Sequence, residues 1–343
     1  MKNDMVTCSI NDIGGGEMKT FLICNTSFFG DTILTNALVR NIKEQYKDSR
    51  IVFIVNKPFY EVACFMDGVD EVWAYDKNGA NKGIVGLYRF YMEHKNKYEF
   101  DAAFVIYGNE RNIILSKLLG CKYVYADNKG VLNLFLHNSD VLYGNKEHAQ
   151  DRFATLLELY SNKPIKELKI KYNPPVESYE FVRTMQRQNQ ILNLNDIIVI
   201  NPTSKSRERD LRLDTCVDLI KKLNEMGKIP AIIGAGTVAL KYIKKLKEVN
   251  CSNFIDLVDK TTFSQLGALL QGSGALISVD TGTLHFALAL DIPVVAIFYI
   301  NTESKLKRWA PKTIYKHKLI AGEDYSAQNI IENLYDLIGG KDD

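Results

Sequence analysis

The sequence predicts an α/β protein made of two doubly wound halves, each a parallel sheet with helices on both faces. Three observations carry this. Short, near-continuous apolar runs alternate with amphipathic helical segments, the pattern of parallel strands buried on both faces. The alternation stops near mid-chain at a polar stretch holding Pro174 and Pro175, then starts again. The 343 residues are too many for one ordinary core and comfortable for two.

Residues 1–17 (MKNDMVTCSINDIGGGE) are polar and Gly-rich and read as a disordered leader. Gly14–Gly16 follow no convincing strand, so they make a poor phosphate loop. The first half, 18–172, opens with a strand, FLICN (21–25), a turn SFFGD, and a helix over 32–46. Ile33, Leu34, Ala37, Leu38 and Ile42 give that helix one apolar face. Strands follow at 50–56, 69–76 and 100–108, then a helix at 114–120 ended by Gly120 and a strand at 122–127. The stretch KYNPPVES (171–178) suits a linker, placed at 173–180. The second half, 181–325, has strands at 196–202, 229–236, 275–280 and 293–300. Its helices fall at 213–227, 238–248, 263–273 and 281–290. Residues 326–338 form a last amphipathic helix. This layout places ligands at the carboxyl ends of the strands, in the crevice between the halves.

Composition excludes several classes. A net charge of +2 offers no global field for nucleic acid. The six cysteines form no C-x-x-C pair and none lies beside a plausible His ligand, so a zinc site has little support. Their scatter among apolar neighbours fits a reducing cytoplasm. Asp4, Asp12 and Glu17 interrupt the N-terminus, which lacks the apolar core of a signal peptide. The longest apolar stretch, 284–300, is broken by Asp291 and Pro293 and does not read as a membrane span.

Four constellations carry chemistry. In Ser27-Phe28-Phe29-Gly30-Asp31, Gly30 permits a tight turn and Asp31 sits at the end of the first strand. Asp31 is there either a helix N-cap or a general base on an acceptor hydroxyl. The loop Asn201 to Asp210 holds Thr203, Ser204, Lys205, Ser206, Arg207 and Arg209 just before a helix. It suits a diphosphate, or it is a solvated charged loop. In Ser278-Val279-Asp280-Thr281-Gly282-Thr283-Leu284-His285, Asp280 or Thr281 caps a helix and Gly282 admits a phosphate to the backbone. His285 by itself reads as a satisfied core histidine. Finally, Gly234-Ala235-Gly236-Thr237-Val238-Ala239 fits the dinucleotide pattern, with Asp256 near the distance of a ribose-binding acid. Alone it suggests an NAD-dependent oxidoreductase; the same turn also suits a nucleotide-sugar diphosphate.

Together these segments resemble glycosyltransferase family 9, the ADP-heptose:lipopolysaccharide heptosyltransferases, from about Met18 to about Asp336. FLICNTSFFGDTILTNALVRNIKEQYKDSRIVFIV with DGVDEVWAYD looks like the family's opening unit. NPTSKSRERDLRLDTCVDLIKKLNEMG looks like its donor-side loop, and ISVDTGTLHFALALDIPVVAIF like its D-[ST]-G-x-x-H block. The resemblance implies the GT-B fold, with an acceptor-binding first half facing a nucleotide-sugar-binding second half across a cleft. It implies inverting transfer with no metal and no cofactor, and a last helix, 326–343, packing back on the N-terminal domain. By motif, Asp31 matches the catalytic base, with Ser27 and Gly30 on the acceptor side. Asp280 and His285 match the donor block, Thr281, Gly282 and Thr283 its diphosphate-cradling turn, and Arg209 a phosphate-binding lysine. Thr203, Ser204, Lys205, Gly234 and Gly236 would complete the donor site. The sequence departs from the family at Arg209, Leu211, Arg212, Val238, Ala239 and Val279. The implied partners are ADP-heptose, or in the alternative another nucleotide sugar, and a lipid-linked phosphorylated oligosaccharide, met at the cytoplasmic face of the inner membrane through peripheral contact. Lys57, Lys77, Lys82 and Arg89 either meet anionic acceptor groups or form solvated surface.

Overall fold

The computed structural model describes residues 18–126, 147–205, 207–299, 302–323 and 325–339. The leader 1–17 and the side chain of Arg207 lie outside the described residues.

The first half runs β1 (Thr20–Asn25), α1 (Phe29–Leu34), α2 (Asn36–Gln45), β2 (Arg50–Asn56), α3 (Tyr60–Cys64), β3 (Glu71–Tyr75), α4 (Gly83–His94), β4 (Ala102–Val105), α5 (Glu110–Leu118), β5 (Tyr123–Ala126) and α6 (Ala149–Ser161). Its strands lie in the order β3-β2-β1-β4-β5, every neighbouring pair parallel. The second half runs α7 (Tyr179–Gln188), β6 (Ile197–Asn201), α8 (Leu213–Glu225), β7 (Ile229–Ile232), α9 (Gly236–Glu248), β8 (Ile255–Asp256), α10 (Phe263–Gly272), β9 (Ala275–Val279), α11 (Gly282–Ala289), β10 (Val294–Phe298), α12 (Glu303–Trp309), β11 (His317–Ala321) and α13 (Ala327–Ile338). Its order is β11-β10-β9-β6-β7-β8, again parallel throughout.

The apolar strands are apolar because both faces are covered. In β1, Phe21 and Ile23 enter one core cluster and Leu22 and Cys24 another, all fully buried. In β6, Ile197 and Val199 turn one way and Ile198 and Ile200 the other. The cluster holding Phe21 also holds Tyr172, Val199 and Phe286, so the halves share apolar packing at their junction. Tyr172 stacks edge-on against Phe286 at 4.7 Å, and its N–H donates to Ala289 O. In each sheet the chain reverses its winding once, between β1 and β4 and between β6 and β9. Those two reversals open crevices at strand carboxyl ends.

Three expectations change. The helix expected over 32–46 begins earlier and is interrupted at Thr35, whose hydroxyl donates to Asp31 O at 2.7 Å. Such back-bonding by Thr bends helices. The strand expected over 100–108 ends at Val105 and gives way to a tight turn at Ile106–Gly108. The last helix does not pack on the first half. Ile330, Leu334 and Leu337 bury against α8 and the β10–β11 edge of their own half. The segment that does reach back is α12 and the turn after it. Lys312 pairs with Asp151 at 2.8 Å, His148 Nε2 lies 3.0 Å from Ala310 O, and Tyr315 donates to Gln150.

Candidate active site

The first crevice is built on the turn after β1. Asp31 is not an N-cap; it is the third residue of α1, behind Phe28 at the cap position. From there its carboxylate reaches back. Oδ2 accepts from Ser27 Oγ at 2.8 Å and from the Phe28 N–H at 3.3 Å. Oδ1 accepts from the Tyr107 hydroxyl at 2.6 Å. Asp31 is only 7% exposed, so these donors replace water on a charged group. Tyr107 follows β4, across the strand reversal from β1, and sequence reasoning missed it. The signal was available: the carboxyl end of the strand next to β1 is where a parallel sheet presents functional side chains.

The second crevice is built on the turns after β6 and β9. Arg209 Nη1 donates to Asp280 Oδ2 at 2.7 Å and to the Asp280 carbonyl at 3.3 Å, both side chains largely buried. Asn201 donates to Thr281 Oγ1 at 2.8 Å and to Ser278 Oγ at 3.3 Å. Thr203 and Ser204 are buried, and the Ser204 N–H donates to Asp210 at 2.7 Å. Thr283 is half-buried in the first turn of α11.

The two crevices face each other because α1 and α11 touch at their amino ends. A Cβ on Gly282 would meet Phe29 Cδ1 at 2.6 Å and Gly30 N at 2.8 Å; one on Gly30 would meet Gly282 Cα at 3.2 Å. The glycine pair therefore serves close helix contact between the halves. His285 lies under this contact, 4% exposed and packed toward Gly30 and Trp309. Burial first, then the charge of His148, pushes its imidazole down to about 3. It is neutral, and its part is in packing. At the lip, Phe28 is 60% exposed and carries the Lys205 ammonium 4.1 Å and the Lys77 ammonium 5.9 Å from its ring centre. Lys77 also donates to Thr26 O at 2.7 Å. Burial, then Lys205 and Arg111, pulls its ammonium below the usual lysine range. Lys57 pairs with Asp76 at 3.1 Å, Arg89 binds Ala80 O, and Lys82 is an exposed residue at the start of α4.

A carboxylate held by three donors thus faces an Arg–Asp pair across a two-sheet cleft, the layout for activating a hydroxyl against an anionic leaving group. The family model described as glycosyltransferase family 9 (heptosyltransferase) matches residues 97–333.

This chain belongs to glycosyltransferase family 9.

It is accordingly a glycosyltransferase. It is 23% identical over 285 residues to lipopolysaccharide heptosyltransferase 1 of Campylobacter coli, covering 80% of this chain and 82% of that one. It is equally 23% identical over 286 residues to the lipopolysaccharide core heptosyltransferase OpsX of Haemophilus influenzae, covering 82% and 79%. Among solved structures, a family 9 glycosyl transferase from Veillonella parvula superposes with a TM-score of 0.84 at 17% identity, covering 93% and 97%. The Escherichia coli heptosyltransferase WaaC solved with ADP gives 0.74 at 16%, covering 92% and 99%. The shared architecture is GT-B, two facing α/β domains, as the motifs implied.

Membership in glycosyltransferase family 9 replaces the oxidoreductase reading of the Gly234 turn, and the turn's own bonding agrees. The Gly236 N–H, at the start of α9, donates to Asp259 Oδ1 at 2.8 Å, and the Asp259 N–H donates back to Gly234 O. A carboxylate holds the N–H that a dinucleotide pyrophosphate would use. Asp256 is drawn off by Lys247 at 3.3 Å and Lys260 at 3.5 Å. The acid at this turn is Asp259, three residues later than the one spacing suggested. Among the described residues no helix is long and apolar enough to cross a membrane.

Proposed function

We propose that this glycosyltransferase transfers a heptose from ADP-heptose to a phosphorylated, lipid-linked lipopolysaccharide core sugar in one inverting displacement. The observation that carries the reading is the pairing of two built crevices: Asp31 held by three donors on one side, Arg209 held by Asp280 on the other. The heptosyltransferase names of the relatives support the sugar, and WaaC with ADP supports the nucleotide.

In this reading an acceptor hydroxyl gives its proton to Asp31 as its oxygen attacks the anomeric carbon. The bond to the diphosphate breaks as the new one forms, and backside attack inverts the centre. Negative charge grows on the leaving diphosphate. Arg209, oriented by Asp280, and Lys205 at the lip are the cations that meet it, with the N-terminal turn of α11, Thr281 to Thr283, completing the cradle. Cations fixed before the reaction stabilise that charge without a metal ion. Arg209 presents a planar fork, which favours two-point contact with a phosphate. Asp259 at the Gly234–Gly236 turn supplies the acid for the nucleotide ribose.

The lipid-linked acceptor requires the enzyme to work at a membrane surface. On α4, Ile84 and Val85 are 86% and 73% exposed, and Tyr88 and Met92 continue the same face. Lys82, Arg89, Lys95 and Lys97 surround that face in sequence. An apolar strip among cations fits the anionic face of a bilayer.

The test is nucleotide release from ADP-heptose with heptose-deficient lipopolysaccharide core as acceptor. Asp31→Ala is expected to lose ~10²–10⁴-fold in turnover. ADP at 100 times its dissociation constant should still stabilise that variant by ~2.7 kcal/mol. Near-normal turnover of Asp31→Ala would remove Asp31 as base. A melting shift with UDP or GDP in place of ADP would keep the transfer and discard heptose.

A further inference from the structure

Tyr107 has features that glycosyl transfer as described does not use. It is the middle residue of the Ile106–Gly108 turn, with φ +60° and ψ +12°. That left-handed conformation is uncommon for an aromatic residue and persists only where the surroundings hold it. Phe153 of α6 packs edge-on against its ring at 5.3 Å. Its hydroxyl makes the 2.6 Å bond to Asp31 Oδ1. On the other side Arg308 of α12 lies over the same ring, 5.7 Å from its centre, and over Trp309 at 4.9 Å. Arg308 Nε is buried and finds no acceptor among the described residues. A guanidinium with a buried, unused donor is held there at a cost, and its placement calls for a reason.

The bonding directions supply one. A carboxylate offers about four lone-pair positions in all. Two on Oδ2 are used by Ser27 and Phe28, and one on Oδ1 by Tyr107. One remains, on Oδ1. Arginine only donates, so Arg308 over the Tyr107 ring cannot take the hydroxyl proton, which is left for Asp31. Burial and the Asp31 charge hold the phenol well above its usual range, so the proton stays on it.

We propose that Tyr107 is a positioning residue: its hydroxyl orients the Asp31 carboxylate so that one lone pair, on Oδ1, is left for the acceptor hydroxyl, and Arg308 steadies Tyr107 from the opposite half. Because Tyr107 belongs to the acceptor half and Arg308 to the donor half, the base is fully oriented only when the halves are together. This inference rests on Asp31 being the base, and its test keeps the two apart.

The experiment compares Tyr107→Phe, Asp31→Ala, the double variant and Arg308→Lys, in ADP-heptose turnover and in melting. Tyr107→Phe keeps the ring against Phe153. It is expected to lower kcat roughly 10–100-fold, the scale of a small misplacement of a catalytic group, with the KM for ADP-heptose and the melting shift given by ADP unchanged. In the Asp31→Ala background it should lower kcat no further. Arg308→Lys should give a smaller kcat loss that disappears once Tyr107 is Phe. Wild-type kcat for Tyr107→Phe, or an equal loss in both backgrounds, overturns the positioning role while leaving Asp31 as base. Full turnover in Asp31→Ala overturns the base itself. Melting provides a reading that needs no substrate: the losses of the two single variants should not add, and simple additivity would overturn the contact.

Discussion

Gly282 has no side chain because there is no room for one. Phe29 and Gly30 fill the space a methyl group would take: Phe29 Cδ1 is the nearest atom, and Gly30 N, next to it, is backbone that has nowhere to go. Gly282→Ala is therefore expected to separate α1 from α11 and to lower stability by ~1–3 kcal/mol, the usual cost of overpacking. Differential scanning calorimetry would measure it, and kcat should fall with it because the two crevices lose their spacing. His285, directly beneath, makes a second prediction through its protonation. Folded, burial holds it down to about 3; unfolded, it titrates at ~6.5. Between those values the unfolded chain binds a proton that the folded chain refuses. Stability from this residue is thus complete above ~6.5 and falls as pH drops toward the folded value, by up to ~1.4 kcal/mol per pH unit. His94 and His148, both also depressed chiefly by burial, act in the same direction. Melting of His285→Gln between pH 6.5 and 5 should show a shallower decline than the parent; an unchanged slope would mean His285 is protonated in the fold.

Elements differ in how well they were legible. The inner strands β1, β2, β6, β9 and β10 could be read because burial on both faces demands unbroken apolar runs, and nothing else in the chain looks like them. The helix α4 was missed for the opposite reason: Ile84, Val85, Tyr88 and Met92 face water, so apolar residues run all round it and the helical period vanishes. The strand β11 was missed because it is an edge, HKLIA, with one buried residue of five. At the candidate site, Asp31, Arg209 and Asp280 are candidates from the sequence because each follows a readable strand or carries a motif. Tyr107 is not, since its turn was absorbed into the strand before it. The element α12 is the more consequential omission. Lys312, 15% exposed, bridges to Asp151 at 2.8 Å and Glu167 at 2.7 Å in the other half. Lys312→Met is expected to leave ADP affinity intact while raising the KM for acceptor, because it loosens the packing of the two halves without touching the loop after β6. Equilibrium dialysis with ADP beside steady-state kinetics would separate the two quantities.

At the scale of the molecule, charge is unevenly shared. Residues 77–122 carry 8 Lys and Arg against 4 Asp and Glu, leaving 35 against 37 for the rest of the chain. The excess lies on the half that also bears the exposed face of α4, and on its neighbour α5, where Ile114 and Leu118 are exposed as well. Neither feature alone would retain a protein at a bilayer: scattered apolar residues are ordinary on surfaces, and surface charge is screened within ~8 Å at physiological salt. Together they give the two signals that peripheral binding requires, apolar insertion and attraction to anionic lipid. The full chain should co-sediment with vesicles containing phosphatidylglycerol and not with phosphatidylcholine alone, and binding should weaken as salt rises from 0.05 to 0.5 M. Ile84→Asp with Tyr88→Asp should abolish co-sedimentation. The same pair should leave kcat unchanged on a water-soluble core fragment, since neither Ile84 nor Tyr88 is among the residues placed in either crevice, and lower turnover only on acceptor embedded in vesicles. Equal loss on both acceptors would mean that α4 supports the fold of the first half and would overturn its role as a membrane-facing surface.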